Sequence, residues 1–534
     1  MEEPLNKTVK LINLPETIAS RWHSKVRVSL YPEKFICLIE CNTDVLVEVC
    51  NWLFSELRYR FASLVVEDQP EKWLLRYIFY GALERGQVHI LCQLSKTEKI
   101  VPSISNVIHA ADWHEREAED LFGLAFEEHP RLGDFILHEE WPEGVNPMRT
   151  EFDSLKPYVH REVDPEWKPV RIVQTPGAFM MPIGPVYSDF AESAHFLLET
   201  VGEDVIRTIP RLFYKYRGVE KIAERKSVEH VILLAERFSG TSAFAHSLAF
   251  CQAVEDIAGV EVPERAKSLR ILMAELERFR HHIAAIAGIC SSTAMAVPTS
   301  QASILEEELL RLSCALTGHR YLFGLNIPGG LSIDFDNDIL KNLAATINDV
   351  LQKLSELKEM LCFSSSFLDR LEEVGTISRE QAVSYGLVGP IARASNMIRD
   401  LRKVLPYSGY EKVDFIVPCE QEGDGYARLR VLFSEAEQSA QIINQVAFSL
   451  PSGPVVSPVF PIVHGSSLGW VEAPRGAAFH WVRLGEDGKV ARYRLTTPSF
   501  TNWHGFHLAA EDFAFQDFPI IMATFGLSNA ECYR

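Results

Sequence analysis

Two short spacings carry side chains that could do chemistry. Ser239 and Ser242 stand three residues apart, as do Ser528 and Glu531, and this is the C-x-x-C interval at which paired thiolates grip a soft metal ion. All four side chains carry oxygen. A serine hydroxyl has a very high pKa and a hard donor atom, so it replaces a thiolate poorly. A sulfur-ligated metal centre is therefore not expected between these segments. His246 follows the first pair and Cys532 lies one position beyond Glu531. Glu531 with His246 offers a carboxylate and an imidazole, suited to a proton path or to zinc, iron or manganese. The plainer alternative is that the hydroxyls and the carboxylate hydrogen-bond one another in a water-filled pocket.

Arg475, in Glu472-Ala473-Pro474-Arg475-Gly476, brings a fixed positive charge that could hold an anionic or carbonyl-bearing group, or could pair with Glu472 or a neighbouring carboxylate. The Tyr187 hydroxyl could bond a carbonyl oxygen. His281 and His282 are adjacent on a helical stretch and point about 100° apart, so they read as core or surface histidines. Acyl- and phosphoryl-transfer chemistry is not expected, because the chain shows no phosphate-cradling glycine loop and no H-E-x-x-H.

These residues need a large scaffold. A chain of 534 residues exceeds one ordinary core, so two or more domains are expected, and 47% apolar composition suffices to bury them. A formal charge of −19 and a pI near 5.4 argue against nucleic acid or an anionic lipid face as the main partner, since phosphate backbones are bound by concentrated Lys and Arg. The ten cysteines are scattered with no C-x-x-C spacing, which predicts reduced, mostly buried thiols in a cytosolic compartment. The opening MEEPLNKTVK has no apolar core of a signal peptide, and the tract from Val446 to Val463 is broken by Pro451, Pro454, Pro458 and Pro461. The chain is not expected to cross a membrane by itself.

The period of the apolar residues divides the chain. Residues 24–100 alternate strand-like runs (26–30, 35–39, 73–80, 88–92) with helix-like stretches such as 43–61, which predicts a small α+β domain over 1–150. A polar bridge with Pro157, Pro165 and Pro169 over 151–176 predicts a linker. Beyond residue 190 the period reads as helical. Leu269, Leu272, Leu276, Phe279, Ile283 and Ile286 recur at three- and four-residue steps behind Pro263, and 303–322, 338–363 and 424–450 read the same way. The fold class is thus α+β, with a large, mainly helical second domain over 177–534 that includes a β-rich segment near 453–500.

The segment 236–247 resembles the first metal-binding motif of nickel-iron hydrogenase large subunits, and Asp517-Phe518-Pro519 through Arg534 resembles the second, with Ser239, Ser242, Ser528 and Glu531 at the ligand positions. Further segments keep the same order: Met181 to Pro185, Arg211 to Lys221, Gly389 to Ser395, Gly423 to Arg428, and Glu472 to Gly476. Together they resemble the large subunit of membrane-bound, formate-hydrogenlyase-type (group 4) hydrogenases and, more distantly, the quinone-site subunit of complex I. The run Glu115 to Gly123, with His129-Pro130 and Trp141-Pro142, resembles the complex I peripheral-arm subunit often fused to it; Gly133 stands where that pattern has Arg or Lys. Read alone, such an acidic-basic run could be a solvated helix end.

The resemblance implies a component of a membrane-associated, energy-converting respiratory-type complex, on the cytoplasmic side and peripheral to the membrane. Without the nickel-iron site, it would pass electrons from a partner's iron-sulfur clusters to another acceptor, a quinone being one candidate, coupled to ion translocation. The alternative is a catalytically silent coupling subunit. No cofactor is expected on this chain. The implied partners are an iron-sulfur small subunit, other peripheral-arm subunits, and membrane antiporter-like and complex I-like subunits. Arg475 matches the arginine that overhangs the nickel-iron site. Tyr187 and Gly240 stand where complex I holds the quinone head group with His and Tyr. Hydrogenase precursors of this type lose a tail behind the second motif; with no thiolates to load, no such tail is expected here.

Overall fold

The structure, a computed structural model, describes residues 10–81, 86–163, 172–174, 176–187, 192–457 and 464–534. Two compact units result, Met1–Val170 with Ser384–Gly386, and Arg171–Val383 with Leu387–Arg534. Part of the expected linker, 164–171 and 175, lies outside the described residues.

In the first unit helix α1 (Leu14–Trp22) precedes strands β1 (Val26–Tyr31) and β2 (Ile36–Cys41), helix α2 (Thr43–Asn51), and strands β3 (Arg60–Asp68), β4 (Lys72–Tyr80) and β5 (Gln87–Ser95). They form one sheet in the order β1-β2-β5-β4-β3, in which only β2 and β5 run parallel. The helix expected over 43–61 ends early. Its helical turns reach Glu56, Arg58 takes a positive φ of 56°, and the buried run Phe61 to Val66 continues as strand, as its β-branched content on a doubly covered sheet favours.

After the short strand β6 (Ile100–Pro102), helix α3 (Asp112–Phe122) carries the acidic-basic run, followed by β7 (Ala125–Glu127). This run is no solvated helix end. Glu115, Arg116 and Glu117 are buried. The Glu115 carboxylate accepts from Ser103 Oγ at 2.5 Å and Ile104 N at 2.9 Å. One Asp120 oxygen takes the amides of Phe135, Ile136 and Leu137 at 2.6–3.0 Å, and Glu119 takes that of Gly133 at 2.7 Å. The helix thus satisfies backbone donors of the loops on either side of it.

The second unit begins with a departure from the expected helical period. Strands β8 (Ala178–Ile183), β9 (His195–Val201) and β10 (Asp204–Arg211) form an antiparallel sheet completed by Glu511–Ala514. The alternation of buried Phe196 and Leu198 along β9 is a period of two.

Helices follow: α4 (Val228–Arg237), α5 (Ala243–Ala258), α6 (Glu264–Ser292), α7 (Ala296–Thr317), α8 (Asn337–Cys362) and α9 (Gly425–Phe448). Pro263 is the N-cap residue of α6, and α7 lies several residues earlier than 303–322. Helix α6 packs on α7 and α9. Strands β11 (Gly465–Ala473), β12 (Gly476–Leu484) and β13 (Val490–Thr496) make a three-stranded meander within the expected β-rich segment, and α10 (Pro498–Ala509) follows. Helix α5 lies across β11 and β12, closely enough that a Cβ on Gly469 would meet the Ala249 carbonyl oxygen at 1.8 Å. Among the described residues no helix is long and apolar enough to cross a membrane.

Candidate functional site

Three segments far apart in sequence converge in the second unit. The loop 239–242 leads into α5, whose first turn is tied to α6 because Glu277 accepts the amides of Phe244 at 2.8 Å and Ala245 at 3.0 Å. Burial pushes the Glu277 carboxyl up to about 7, against the pull of those two amides. The second segment is the hairpin turn between β11 and β12, where Ala473 pairs with Gly476 and leaves Pro474 and Arg475 at the tip. That turn abuts Gly389: a Cβ on Gly476, at φ +131°, would lie 2.7 Å from the Gly389 nitrogen. The third is the short helix Asn529–Cys532, capped by Ser528 Oγ on the Glu531 amide at 3.3 Å. Arg217 stitches it to the loop, donating to the carbonyls of Phe238 at 2.7 Å and Ala530 at 2.5 Å.

Glu531 is the centre of the arrangement and is fully buried. Its Oε1 accepts from Ser239 Oγ at 3.1 Å, Ser242 Oγ at 3.3 Å and Arg475 Nη1 at 3.1 Å. Its Oε2 accepts from Ser499 Oγ at 2.5 Å and Ser499 N at 3.3 Å. A carboxylate has about four acceptor sites, so these five donors saturate it. Burial alone would push this carboxyl up, but Arg475, His246 and Ser499 hold it well below the usual carboxylate range. The hydroxyls and the carboxylate contact one another directly, with no gap that requires bridging water. Arg475 is 13% exposed and is further fixed by the Gly526 carbonyl at 2.7 Å and Thr241 Oγ1 at 3.1 Å. Its carboxylate partner is Glu531, not Glu472, which turns instead to Arg393 at 2.8 Å.

His246 Nε2 stands 3.9 Å from Glu531 Oε1, and its Nδ1 is 3.0 Å from His480 Nε2, whose Nδ1 is 2.8 Å from the Tyr493 hydroxyl. All three rings are buried. Burial and the neighbouring His246 push His480 far down, so it is neutral near pH 7. With Tyr493 donating to His480 and His480 to His246, an Nε2–H of His246 faces the negative carboxylate.

Ser528 Oγ does not reach Glu531's carboxylate. It donates to Glu192 at 3.2 Å, and the Ala530 amide adds a 2.7 Å bond to the same carboxylate. The Cys532 thiol is buried and donates to the Ser528 carbonyl at 3.8 Å. Tyr187 is 40% exposed, next to residues 188–191 outside the described set, and takes no part in the bonds of Glu531, Arg475 or His246. The sequence also holds a nucleophile-elbow spacing at Gly465-Ser466-Ser467-Leu468-Gly469, but Ser467 sits mid-strand in β11 and donates to Asp256 at 2.6 Å; a strained strand-to-helix turn, which that chemistry needs, is lacking there. Ser499, Glu192, His480 and Tyr493 carry no spacing signal and emerge only from the fold.

A nickel-iron centre needs converging thiolates, and this donor set of hydroxyls and one saturated carboxylate does not fit it. Among the described residues no three His, Cys, Asp or Glu side chains gather as a metal-holding group.

Comparison with known proteins places these segments. Residues 39–158 match the respiratory-chain NADH dehydrogenase 30 Kd subunit, 217–286 the nickel-dependent hydrogenases, and 296–464 the respiratory-chain NADH dehydrogenase 49 Kd subunit. Formate hydrogenlyase subunit 5 of Escherichia coli (strain K12) is 30% identical over 91% of this chain and 87% of its own length. Hydrogenase-4 component G of the same organism is 29% identical over 84% and 79%. The C/D subunit of NADH-quinone oxidoreductase from Acinetobacter baumannii (strain AYE) is 29% identical over 86% and 84%.

Proposed function

Because the chain belongs to the family that unites formate-hydrogenlyase-type hydrogenase large subunits with the 49 Kd and 30 Kd subunits of respiratory NADH dehydrogenase, we propose that it serves an energy-converting redox complex without a nickel-iron site. In this reading, iron-sulfur clusters of a partner small subunit deliver electrons to an acceptor other than protons at nickel, a quinone being the candidate, and the transfer is coupled to ion translocation. The first 150 residues act as the complex I peripheral-arm-type domain and 177–534 as the hydrogenase-like domain. Attachment to the membrane comes through partner subunits.

The observation that carries the proposal is the Glu531–Arg475 ion pair with its serine donors, at positions that the resemblance to nickel-iron hydrogenases gives to metal ligands. Metal analysis of the purified complex tests it: nickel far below one atom per chain is expected, and one nickel per chain overturns it. Arg475 and Tyr187 are the residues proposed to meet the acceptor, with Glu531 and His246 behind Arg475.

The saturation of Glu531 by five donors favours a second reading, a catalytically silent subunit that transmits conformational change. Turnover separates the two. An Arg475→Ala complex with unchanged electron transfer to quinone supports the silent subunit, whereas at least a tenfold loss supports the redox role.

A further inference from the structure

The helical part of the second unit encloses another polar cluster that shares no residue with the Glu531 site. Helix α6 supplies Glu275, Arg278 and His282, α9 supplies Glu435, and β11 supplies Glu472; Arg393 comes from the short helix Gly389–Ala394, and Asp400 and Arg402 from the segment after it. Every one of these side chains is at most 3% exposed.

Arg393 lies at the middle, with Nε 2.5 Å from Glu435 and Nη1 2.8 Å from Glu472 and 3.7 Å from Asp400. Arg402 joins Asp400 at 2.6 Å to Glu275 at 2.9 Å, and Arg278 reaches Glu275 at 3.3 Å. His282 Nε2 stands 2.9 Å from Glu435. The neutral donors include Tyr410 and Ser439 on Glu275, at 2.6 and 2.8 Å, the Leu401 amide on Glu472 at 3.0 Å, and the Arg402 amide on Asp400 at 2.9 Å.

The charges do not balance. Glu275, Asp400, Glu435 and Glu472 are four carboxylates, and Arg278, Arg393 and Arg402 are three guanidiniums that cannot lose a proton, which leaves one net negative charge. Glu277 and Arg280 on α6 turn to other partners and do not enter the sum: Glu277 accepts the amides of Phe244 and Ala245, and Arg280 pairs with Glu306 at 3.3 Å. Arg393 Nη1 also donates to the Arg399 carbonyl oxygen at 2.9 Å. Burial pushes the phenols of Tyr407 and Tyr410 up and the imidazole of His281 down, so none of them supplies charge. A buried net charge is strongly disfavoured, and binding a proton is the usual relief.

We propose that this cluster is a proton-binding site that carries one exchangeable proton, seated on one side or the other of Arg393, at His282 against Glu435 or at Glu472. Both seats have the required chemistry. Burial and the nearby Asp400 push the Glu472 carboxyl up. Burial lowers the proton affinity of His282 by more than Glu435 restores, so Glu472 is the favoured seat and His282 the secondary one. Movement of the proton between them shifts charge from the α6–α9 contact to β11, the strand that leads into the Arg475 turn. The site stands on its own geometry, whether or not the chain carries electrons.

Infrared difference spectra and nitrogen-15 histidine resonances of the full chain, wild type against Glu472→Gln and His282→Gln, test this near neutral pH. In wild type the expected result is one of two signals: a protonated carboxyl band that disappears in Glu472→Gln, or a His282 imidazolium resonance, assigned by its loss in His282→Gln, that becomes neutral in Glu472→Gln. Either supports the site. A wild-type chain in which Glu472 is ionised and His282 is neutral overturns it. Should Glu472→Gln fail to fold, Glu472→Asp and His282→Gln still decide: a protonated carboxyl band that shifts in Glu472→Asp, or a wild-type imidazolium resonance that is lost in His282→Gln, supports the site, and the absence of both overturns it.

Discussion

At the scale of single residues, Glu531 joins three remote segments through its five donors, and its removal has a calculable cost. Glu531→Ala leaves the largely buried Arg475 guanidinium without its counter-charge; breaking a fully buried pair costs about 3–5 kcal/mol, and partial solvation of Arg475 places this loss toward the lower end. Denaturant unfolding of the purified chain is the measurement. The pH dependence has a definite sign. The folded-state pKa of Glu531 is depressed, so its contribution is present above the unfolded value of about 4.3 and is lost as pH falls through the folded value. The stability gap between wild type and Glu531→Gln should therefore be constant from about pH 5 to 8 and shrink only in stronger acid. The part of this site legible in the sequence was the paired spacing, since Ser239, Ser242 and Glu531 do meet. The partner of Arg475 was not legible, because alternation along β11 turns Glu472 away and the true partner lies 56 positions on, in a different element. Ser499 and Glu192 were hidden for the same reason: hydrogen bonds between remote segments leave no period.

At the scale of elements, α3 acts as a clamp on its flanking loops through carboxylates. Asp120→Ala removes the acceptor of three backbone amides and is expected to cost about 3–5 kcal/mol, given roughly 1.5–3 kcal/mol for each hydrogen bond to a charged group and partial rescue by water; thermal unfolding of the chain would show it. Glu115 behaves oppositely to Glu531. Burial pushes its carboxyl up to about 7, with Ser103 and Ile104 pulling down. Its stabilising contribution is full below about pH 4.3 and is lost as pH rises toward 7, so wild type should lose about 3 kcal/mol relative to Glu115→Gln across that window. A flat difference between the two proteins would contradict this. Helices with long apolar stripes, such as α6, α8 and α9, were readable nearly to their ends. The strands β9 and β10 were not, because seven- and eight-residue strands with partly exposed faces give a weak alternation that flanking helical periods mask.

For the whole molecule, a strongly acidic chain with no membrane-crossing helix among its described residues is proposed to reach the membrane through partners. Fractionation of cells that express it with and without the neighbouring subunits should place it with membranes only in the first case. Retention on membranes by the chain alone would contradict that proposal.

The hydrogen bond from Ser239 to Glu531 closes a ring of 292 positions. Loop-closure entropy grows only with the logarithm of length, so a single well-satisfied carboxylate can hold such a ring shut. Because its two ends lie on separate elements, it is expected to form only once the strands and helices on both sides are docked. The oxygen cradle is therefore a latch: it records that the second unit has finished folding, and until it engages, Arg475 and the serine loop face solvent without their anion.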